Sequence, residues 1–417
     1  MPKKLHEADR EASHYLSLEQ TLTPRTRTSQ LILILLCFLL LLALGLGLCL
    51  SPHEEFSPEE NRMLATLPTF SLDALLDGSL TRELGDFCAD QFPLRAAFIS
   101  VKATTELALG KQQNNDVLRG QDDYLIKRSD ITNATDASLS QNAAAIRRFA
   151  QAMEAQNIPF TVAVVPRSVD VNETKLPRLY PEEDAALLWS QWQTQCNAQS
   201  VSALSLTAPL RAAADTGEQV WFRTDHHWTA RGAYEAYVAL ADALDYTPAP
   251  LSDFAEQIVS RDFYGTTYAS AGMRRTPADT LSLMRYEGDE QYLTEIIEGG
   301  EVVRTLAGLY DTDALETHDK YSVFLGGTNT HVRVRSTVEL DRPTLFLIKD
   351  SYAQSLAPYL ARHFDLVLLD PRTFKTAGGT VSALIADVSP DCVLLLYGID
   401  TLCDSASLRI LTLGLTP

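Results

Sequence analysis

Apolar positions form one unbroken run near the beginning of the chain and shorter, interrupted runs over the rest of it. The twenty residues 31–50 carry no charge and are rich in leucine. A helix of that length rises about 30 Å, which matches the hydrocarbon thickness of a bilayer. The run is longer than the apolar core of a usual signal peptide, and no small-x-small cleavage pattern follows it closely. It therefore predicts a single transmembrane signal anchor that is not removed.

Residues 51–130 have a mixed pattern in which prolines interrupt helical spacing. Apolar residues recur at helical intervals over residues 72–88 and 94–109. Loops are marked by Pro52, Pro58, Pro68 and Pro93. We interpret this stretch as a membrane-proximal segment of helices and loops that precedes a larger domain over residues 131–417.

From about residue 139 onward, apolar strands alternate with helices. Strands rich in valine, leucine and isoleucine are predicted over residues 159–166, 201–206, 219–222, 344–348, 365–369 and 392–397. Near-continuous apolar strands between helices are typical of a mostly parallel sheet that is covered on both faces. The predicted fold class is therefore α/β with three layers. Residues 247–341 show only short, weak strands, and we interpret them as an insertion.

The two sides of the apolar run differ in charge. Arg25 and Arg27 precede it, whereas mostly acidic residues follow it, among them Glu54 and Glu55. Because positive flanks stay on the cytoplasmic side, residues 1–30 are predicted to be a cytoplasmic tail and the rest of the chain extracytoplasmic. The chain has a net charge of −19 and its tail +1, so the extracytoplasmic part carries −20. An acidic domain of this kind argues against nucleic acid as a partner.

The first group of candidate functional residues follows the predicted strand 219–222. Asp225, His226 and His227 come directly after it, and Thr229 is predicted to cap a helix that runs to about Leu244. In open α/β sheets, ligands bind at the end where a strand gives way to a helix. This loop is compatible with a catalytic triad, a metal site or a structural corner.

The second group follows the buried strand 344–348. Ser351 comes where that strand gives way to a helix, and free backbone N–H groups there can stabilise an oxyanion. A serine needs a base to become a nucleophile, and the histidine loop at the same sheet edge can supply one. The alternative is that Asp350 or Ser351 only caps the helix.

Taken together, these motifs resemble a known protein family. Asp-His-His-Trp at residues 225–228 and Lys-Asp-Ser-Tyr at residues 349–352 resemble the DHHW protein family. That family is similar to the alginate O-acetylation proteins of the J and X type, whose fold is SGNH-hydrolase-like. Residues 60–64 and 90–95 also resemble N-terminal signatures of that group, so that the resemblance covers residues 51–400.

The resemblance implies roles for individual residues. It implies that Ser351 is the nucleophile, His227 the base and Asp225 the residue that orients the imidazole. Lys349 stands where glycine is usual in the family, which leaves the serine in place but puts the tight turn in doubt.

Further candidates lie outside the triad. Gly327 and Asn329, after a strand predicted at residues 321–325, are candidate oxyanion donors, although a plain turn explains them equally well. His226 and Trp228 are candidates for contact with substrate, and a structural role is the alternative for both.

The function that the resemblance and the apolar run together imply is a membrane-anchored, extracytoplasmic acyl (acetyl) transferase or esterase that would act on cell-envelope polysaccharide through a Ser-His-Asp triad. No cofactor is expected, because nothing in the sequence binds coenzyme A, so the acyl group would come from a membrane-bound donor partner. No metal is expected either, since Asp225, His226 and His227 lack an apparent further ligand. The alternative is a non-catalytic protein that keeps the fold to bind glycan or a partner.

Overall fold

The structure is a computed structural model, and it describes residues 24–57, 60, 62–127, 136–177, 183–339, 341–374, 379–404 and 407–415. The chain divides into two compact units, residues 1–99 and 100–417.

The first unit begins with a long apolar helix, α1 (Pro24–Leu50), whose side chains are largely exposed. In the part of the chain that is described, Arg27–Leu50 is long and apolar enough to cross a membrane. The other elements are β1 (Phe56–Ser57), β2 (Arg62–Met63), α2 (Leu72–Leu76), α3 (Ser79–Asp90) and the start of α4 (Arg95–Ala108).

A network of ion pairs holds the first unit together. Arg62 binds both carboxylate oxygens of Asp90, at 2.5 and 2.9 Å, and Arg95 Nε lies 2.7 Å from Glu60 Oε1. The backbone N–H of Ala65 also donates to Asp90, at 2.9 Å. The hydrogen bonds from Arg62 lower the pKa of Asp90 to about 2. These residues lie in or next to the two N-terminal signatures, and in this structure they pair with one another.

The described residues of the second unit form two small sheets and one large one. Three short strands, β3 (Gln113–Asn114), β4 (Val117–Arg119) and β5 (Leu125–Lys127), form one antiparallel sheet. A hairpin is formed by β8 (Ala255–Phe263) and β9 (Asp279–Arg285). The strands of the large sheet are β6 (Phe160–Val165), β7 (Leu204–Ser205), β10 (Tyr292–Glu298), β11 (Glu301–Ala307), β12 (His331–Ser336), β13 (Thr344–Lys349), β14 (Asp365–Leu369) and β15 (Cys392–Gly398).

In the described residues the order across the large sheet is β11-β10-β12-β14-β13-β15-β6-β7. The five strands from β14 to β7 are parallel to one another. Beyond β14, the strands β12, β10 and β11 continue the sheet in antiparallel fashion. The sheet is thus mostly parallel, with its carboxyl-terminal edge formed by β14, β13, β15, β6 and β7. Three of its strands come from residues 247–341, the stretch interpreted above as an insertion.

Helices cover both faces of this sheet. In the described residues, the helices after α4 are α5 (Asp136–Ala155), α6 (Ser168–Val171), α7 (Glu183–Ala198), α8 (Thr207–Asp215), α9 (Ala230–Leu240), α10 (Thr266–Ala271, which packs on β4 and β5 of the small sheet), α11 (Ala353–Leu360), α12 (Val381–Val388) and α13 (Ile399–Asp404). The central strand β13 shows why helices cover both faces, because its side chains alternate between two separate cores. Leu345 and Leu347 pack in the core that includes α9 and α11, whereas Phe346 and Ile348 pack in the core that includes α5 and α7. The predicted three-layer α/β fold is confirmed.

Two predicted strands are not strands of the sheet. In the stretch 219–222, Trp221 makes only an isolated bridge to Trp228. Phe222 N–H donates to His227 O and Thr229 N–H to Val220 O, so the backbone groups are used within this hairpin. The stretch 321–325 forms a 3₁₀ helix over Lys320–Val323 instead. Its apolar side chains are nevertheless buried, which is what the sequence pattern detected.

Candidate active site

The nucleophile candidate lies between a central strand and a buried helix. Ser351 follows the end of β13 by two residues and precedes the first residue of α11, Ala353. Every residue of α11 is buried, so this turn has little freedom to move. The strand and helix therefore fix Ser351 at the carboxyl-terminal edge of the sheet, as predicted.

The histidine loop is held by the hairpin of residues 220–229 and by the helix that follows it. Thr229 caps α9, and its side chain accepts a hydrogen bond from the Gly232 N–H at 3.1 Å. A Cβ atom at Gly232 would lie 2.2 Å from Val220 O, so only glycine fits between the helix and the hairpin. This close packing determines where the loop's side chains point.

The structure brings the three predicted triad residues into one hydrogen-bonded chain. Asp225 Oδ1 lies 2.5 Å from His227 Nδ1, and His227 Nε2 lies 2.7 Å from Ser351 Oγ. Asp225 and His227 are buried, with 2% and 5% of their surface exposed, whereas Ser351 is partly exposed. The serine can thus meet a substrate while the carboxylate is shielded from water.

The carboxylate of Asp225 has partners on both oxygens. Oδ1 also accepts from the His227 backbone N–H at 2.9 Å, and Oδ2 accepts from the Thr266 N–H and hydroxyl at 2.7 and 3.1 Å. A Cβ atom at Gly265 would lie 2.1 Å from Oδ2, so the absence of a side chain there makes room for the carboxylate. Burial opposes ionisation of Asp225, but the two neighbouring histidines and the hydrogen bonds hold its pKa well below the usual range. Asp225 is therefore a carboxylate at neutral pH.

Aromatic residues fix the plane of the His227 imidazole. The His227 ring stacks on Tyr321 with ring centres 4.1 Å apart and an angle of 9° between the planes. Tyr321 Oη and Trp228 Nε1 both hydrogen-bond to Ser355 Oγ, at 2.9 and 2.8 Å. Trp228 is fully buried, so it packs behind the site and cannot stack on a substrate as the structure stands.

His226 lies beside the triad and is itself hydrogen-bonded. Its Nδ1 lies 2.6 Å from Thr266 Oγ1, and its backbone oxygen accepts from Trp221 Nε1 and Tyr352 Oη, both at 2.9 Å. Its side chain keeps 31% exposure. Burial and the adjacent His227 lower the pKa of His226. His226 is thus a neutral residue at the mouth of the site near neutral pH.

The candidate oxyanion donors are occupied within their own turn. Gly327 N–H donates to Phe324 O at 3.2 Å, and the Asn329 amide donates to Gly326 O at 3.1 Å. The turn is nevertheless tied to the nucleophile's surroundings. Lys349 Nζ donates to Asn329 O at 3.2 Å, and Gln354 of α11 donates to a hydroxyl of the same turn. Gly327 and Asn329 would have to release these bonds before donating to a substrate.

Two buried ionisable residues, Lys349 and Asp350, directly precede Ser351. Lys349, at the position where glycine is usual in the family, is 1% exposed, and its Nζ lies 3.9 Å from Asp370 Oδ2. Burial lowers the pKa of Lys349 to about 8. Asp350 accepts from the N–H groups of Tyr352 and Gly398, at 3.1 and 2.7 Å, and burial raises its pKa. The lysine side chain is therefore a buried structural group, and the serine keeps its place.

Asp225, His226 and His227 each offer a ligand atom, and these atoms lie within 4.8 Å of one another. A metal ion would compete with the bonds just described, because both nitrogens of His227 and both oxygens of Asp225 already have partners. The arrangement of these side chains therefore suits proton transfer better than it suits binding of a metal ion.

A mostly parallel sheet with a serine, a histidine and an aspartate at its carboxyl-terminal edge defines a class of proteins. The fold is SGNH-hydrolase-like. A model of the SGNH hydrolase-like domain of the acetyltransferase AlgX matches residues 117–291 of the chain.

Particular relatives agree with that class. A protein named "Probable alginate O-acetylase AlgJ" from Pseudomonas fluorescens is 29% identical over 177 residues, which are 42% of this chain and 45% of the relative. A DHHW family protein from Eubacterium siraeum has a TM-score of 0.55 and 21% identity, covering 67% of this chain and 90% of that one. PatB1 from Bacillus cereus has a TM-score of 0.58 and 18% identity, covering 70% and 98%.

The predicted resemblance to the DHHW proteins and the alginate O-acetylases is confirmed by these matches. The two solved structures establish the likeness of the fold. The chain spans about half the length of the curated relatives it matches.

Gly265 and Thr266, like Tyr321 and Ser355, contribute to the site but were not predicted from the sequence as part of it. Gly265 and Thr266 lie about forty positions after Asp225, at the end of the β8 strand and the start of α10. Their only signal was a Gly-Thr pair that follows a mostly polar, exposed strand, which is a common pattern.

Proposed function

We propose that this protein is a membrane-anchored acyltransferase or esterase that acts on a polysaccharide of the cell envelope. The observation that supports this is the continuous chain of hydrogen bonds from Asp225 through His227 to Ser351. Such a chain activates a serine hydroxyl for attack on an ester.

The chemistry takes two steps. His227 Nε2 accepts the hydroxyl proton as Ser351 Oγ attacks the acyl carbon of the donor ester, and Asp225 stabilises the imidazolium that forms. The tetrahedral intermediate then collapses, His227 returns the proton to the departing alcohol, and the acyl group remains on Ser351. In the second step a sugar hydroxyl, or water, loses its proton to His227 and attacks the acyl-serine. The bond from the acyl carbon to Ser351 Oγ then breaks, and His227 returns the proton to that oxygen. The products are an acylated glycan, or a free acid when water attacks.

The oxyanion that forms in each step needs donors. Backbone N–H groups at the start of α11 lie next to Ser351, where the helix dipole also favours negative charge. The N–H groups of Tyr352 and Gln354 donate to Asp350 Oδ1 and Ser351 O, so they too would exchange a bond to serve as donors. Gly327 and Asn329 would join them only after their turn has opened. Removing an oxyanion donor typically lowers kcat by about 10²–10³-fold.

The substrate class rests on the relatives. One is named an alginate O-acetylase, and the matched family model is that of an acetyltransferase domain. We extend acetyl transfer on a polysaccharide to this chain on that ground, with a membrane-bound partner as the acyl donor. Arg27–Leu50 would anchor the protein, with the acidic domain outside the cytoplasm.

The topology can be tested separately from the chemistry. Protease added to intact protoplasts should degrade residues 51–417 and spare only a short fragment. Full protection of the domain would contradict the proposed orientation.

The activity is tested with the full chain in detergent and p-nitrophenyl acetate. Ser351→Ala should remove turnover, whereas Ser382→Ala, at a partly exposed serine in α12, should retain it. Protein that binds envelope polysaccharide but hydrolyses no ester would be a non-catalytic glycan-binding protein.

A further inference from the structure

A cavity separate from the residues around Ser351 opens at the same edge of the sheet. Its volume is about 500 Å³, within the range of about 300–1,000 Å³ that small-ligand pockets occupy. The floor consists of Val164, Pro166 and Ile399, which are buried and stand at or just beyond the carboxyl ends of β6 and β15. We call this space the α7–α8 cavity, because residues of those two helices form its walls.

The order of the strands places this cavity beside the triad. Ser351 follows β13, and the next strands across the sheet are β15, β6 and β7. Neighbouring strands lie about 4.8 Å apart, so the cavity begins one strand away and extends to about 15 Å from the nucleophile's strand. A polysaccharide lying along this edge would reach the cavity within a few sugar rings of the one at Ser351.

One wall of the cavity is aromatic. Trp189 of α7 is partly exposed and lines the space. An indole ring offers a flat apolar face together with one N–H donor. Sugar rings have a flat face of C–H groups and a rim of hydroxyls, so they suit such a wall.

The opposite wall is polar, and its charges are largely paired. Asp170 is bound by Arg167 through two hydrogen bonds of 3.0 and 2.7 Å. Arg211 of α8 donates to Glu173 Oε1 at 2.6 Å. Asp215, at the end of α8, is exposed and has no ion-pair partner among the described residues. The wall thus offers hydrogen-bonding groups and one unpaired negative charge.

This charge determines which sugars fit. Three carboxylates (Asp170, Glu173 and Asp215) line the cavity together with one guanidinium, Arg211, which is already bound to Glu173. A uronate would therefore bring its carboxylate into a space of net negative charge, and like charges repel. A neutral, N-acetylated or amino sugar has no such conflict and can use the carboxylates as acceptors for its hydroxyl or N–H groups.

We propose that the α7–α8 cavity is a subsite for a neutral or amino-bearing sugar ring of the same glycan whose neighbouring unit reacts at Ser351. The assignment as a subsite rests on the function proposed above. The contrast with a uronate polymer such as alginate follows from the charges of this wall.

Binding is tested with the full chain carrying Ser351→Ala in detergent, so that no turnover disturbs the measurement. Isothermal titration with chitotetraose should show binding, and titration with tetragalacturonate should show none. Ala208 is exposed, lines the cavity and is the second residue of α8, so Ala208→Trp should fill the space and abolish binding. Ala155→Trp, at an exposed alanine that ends α5, is the matched control and should bind as before.

A second variant checks the aromatic wall. Trp189→Ala should weaken binding about tenfold or more, which corresponds to the loss of one stacked ring. Its thermal midpoint is measured in parallel, because Trp189 also packs against the core.

The outcomes separate this proposal from the proposed enzyme. Absence of chitotetraose binding, binding that survives Ala208→Trp, or equal binding of tetragalacturonate would each overturn the subsite. Ester turnover by protein with Ser351 intact is measured alongside. Turnover without glycan binding rejects the subsite alone. Glycan binding that is abolished by Ala208→Trp, in a protein that turns over no ester, supports the cavity as a glycan site and rejects the enzyme.

Discussion

The carboxylate of Asp225 fits its place only because position 265 has no side chain. A Cβ atom there would lie 2.1 Å from Oδ2 and 2.2 Å from the Asp225 Cβ. Gly265→Ala should therefore displace the carboxylate, abolish ester turnover and destabilise the protein by about 1–3 kcal/mol, the usual cost of overpacking. Turnover and the thermal midpoint are the measurements.

Gly85 provides the matched control for that substitution. It lies inside α3, and nothing stands within 4 Å of where its Cβ would be. Gly85→Ala should leave turnover unchanged and slightly stabilise the helix, by about 0.5–1 kcal/mol. Equal turnover in both alanine variants would show that the contact with Asp225 does not matter.

Asp225 and His226 should differ sharply when each is replaced. Asp225→Asn changes the partner of His227 Nδ1, so the rate should fall by as much as about 10⁴-fold, as in serine proteases. His226→Ala removes a hydrogen bond to Thr266 but leaves the chain to Ser351 intact, so its effect should be mild. The initial rate on an acetyl ester measures both. A larger loss in His226→Ala would point to a site that uses the adjacent histidine directly.

Lys349 makes stability depend on pH in a predictable direction. Its pKa falls from about 10.4 in an unfolded chain to about 8 in the folded protein, because it is buried. Between these values the unfolded state binds more protons, so stability rises as pH rises from about 8 to about 10.4. Lys349→Met removes the charge and should lack this rise. Thermal midpoints of both proteins at pH 7 and pH 10 measure it, and parallel changes in the two would contradict the prediction.

At the scale of single residues, the sequence allowed the three triad candidates to be predicted, but not the residues that hold Asp225 in place. Asp225, His227 and Ser351 each lie in a recognisable motif where a buried segment meets a helix. Gly265 and Thr266 contact Asp225 from another part of the chain, and that contact exists only after the hairpin β8–β9 and α10 have packed. Tertiary contacts of this kind leave no local pattern.

Among the elements, the helix cap next to the triad is open to a direct test. Thr229 caps α9 directly after the histidine loop, and Thr380 caps α12 with the same geometry. Replacement of either by alanine should cost about 0.5–2 kcal/mol in the free energy of unfolding. Only Thr229→Ala should also slow turnover, because it loosens the loop that carries His227. Urea denaturation and ester turnover measure the pair, and equal turnover in both would contradict this account.

The parallel core of the sheet was predictable element by element, whereas its antiparallel extension was not. Strands β6, β13, β14 and β15 are continuous apolar runs, because both faces of each are buried. In contrast, β12 alternates buried and partly exposed residues, and β11 is mostly exposed at the sheet edge, so their sequences carry a weak signal. The stretch 219–222 is the opposite case. Its apolar pattern predicted a strand of the sheet, but its buried aromatic residues belong to a separate hairpin.

For the whole molecule, one apolar helix and one acidic α/β domain carry the proposed function between them. In that proposal, the helix anchors the protein in a membrane, and the carboxyl-terminal edge of the sheet carries out the chemistry. Both arguments depend on Ser351 being a nucleophile that His227 activates.

The most direct test of that claim is labelling with a fluorophosphonate, followed by peptide mapping of the full chain. The account predicts one label per chain on Ser351, no label in Ser351→Ala, and strongly slowed labelling in His227→Ala. Folded wild-type protein that takes no label, or takes it on another serine, would contradict the account.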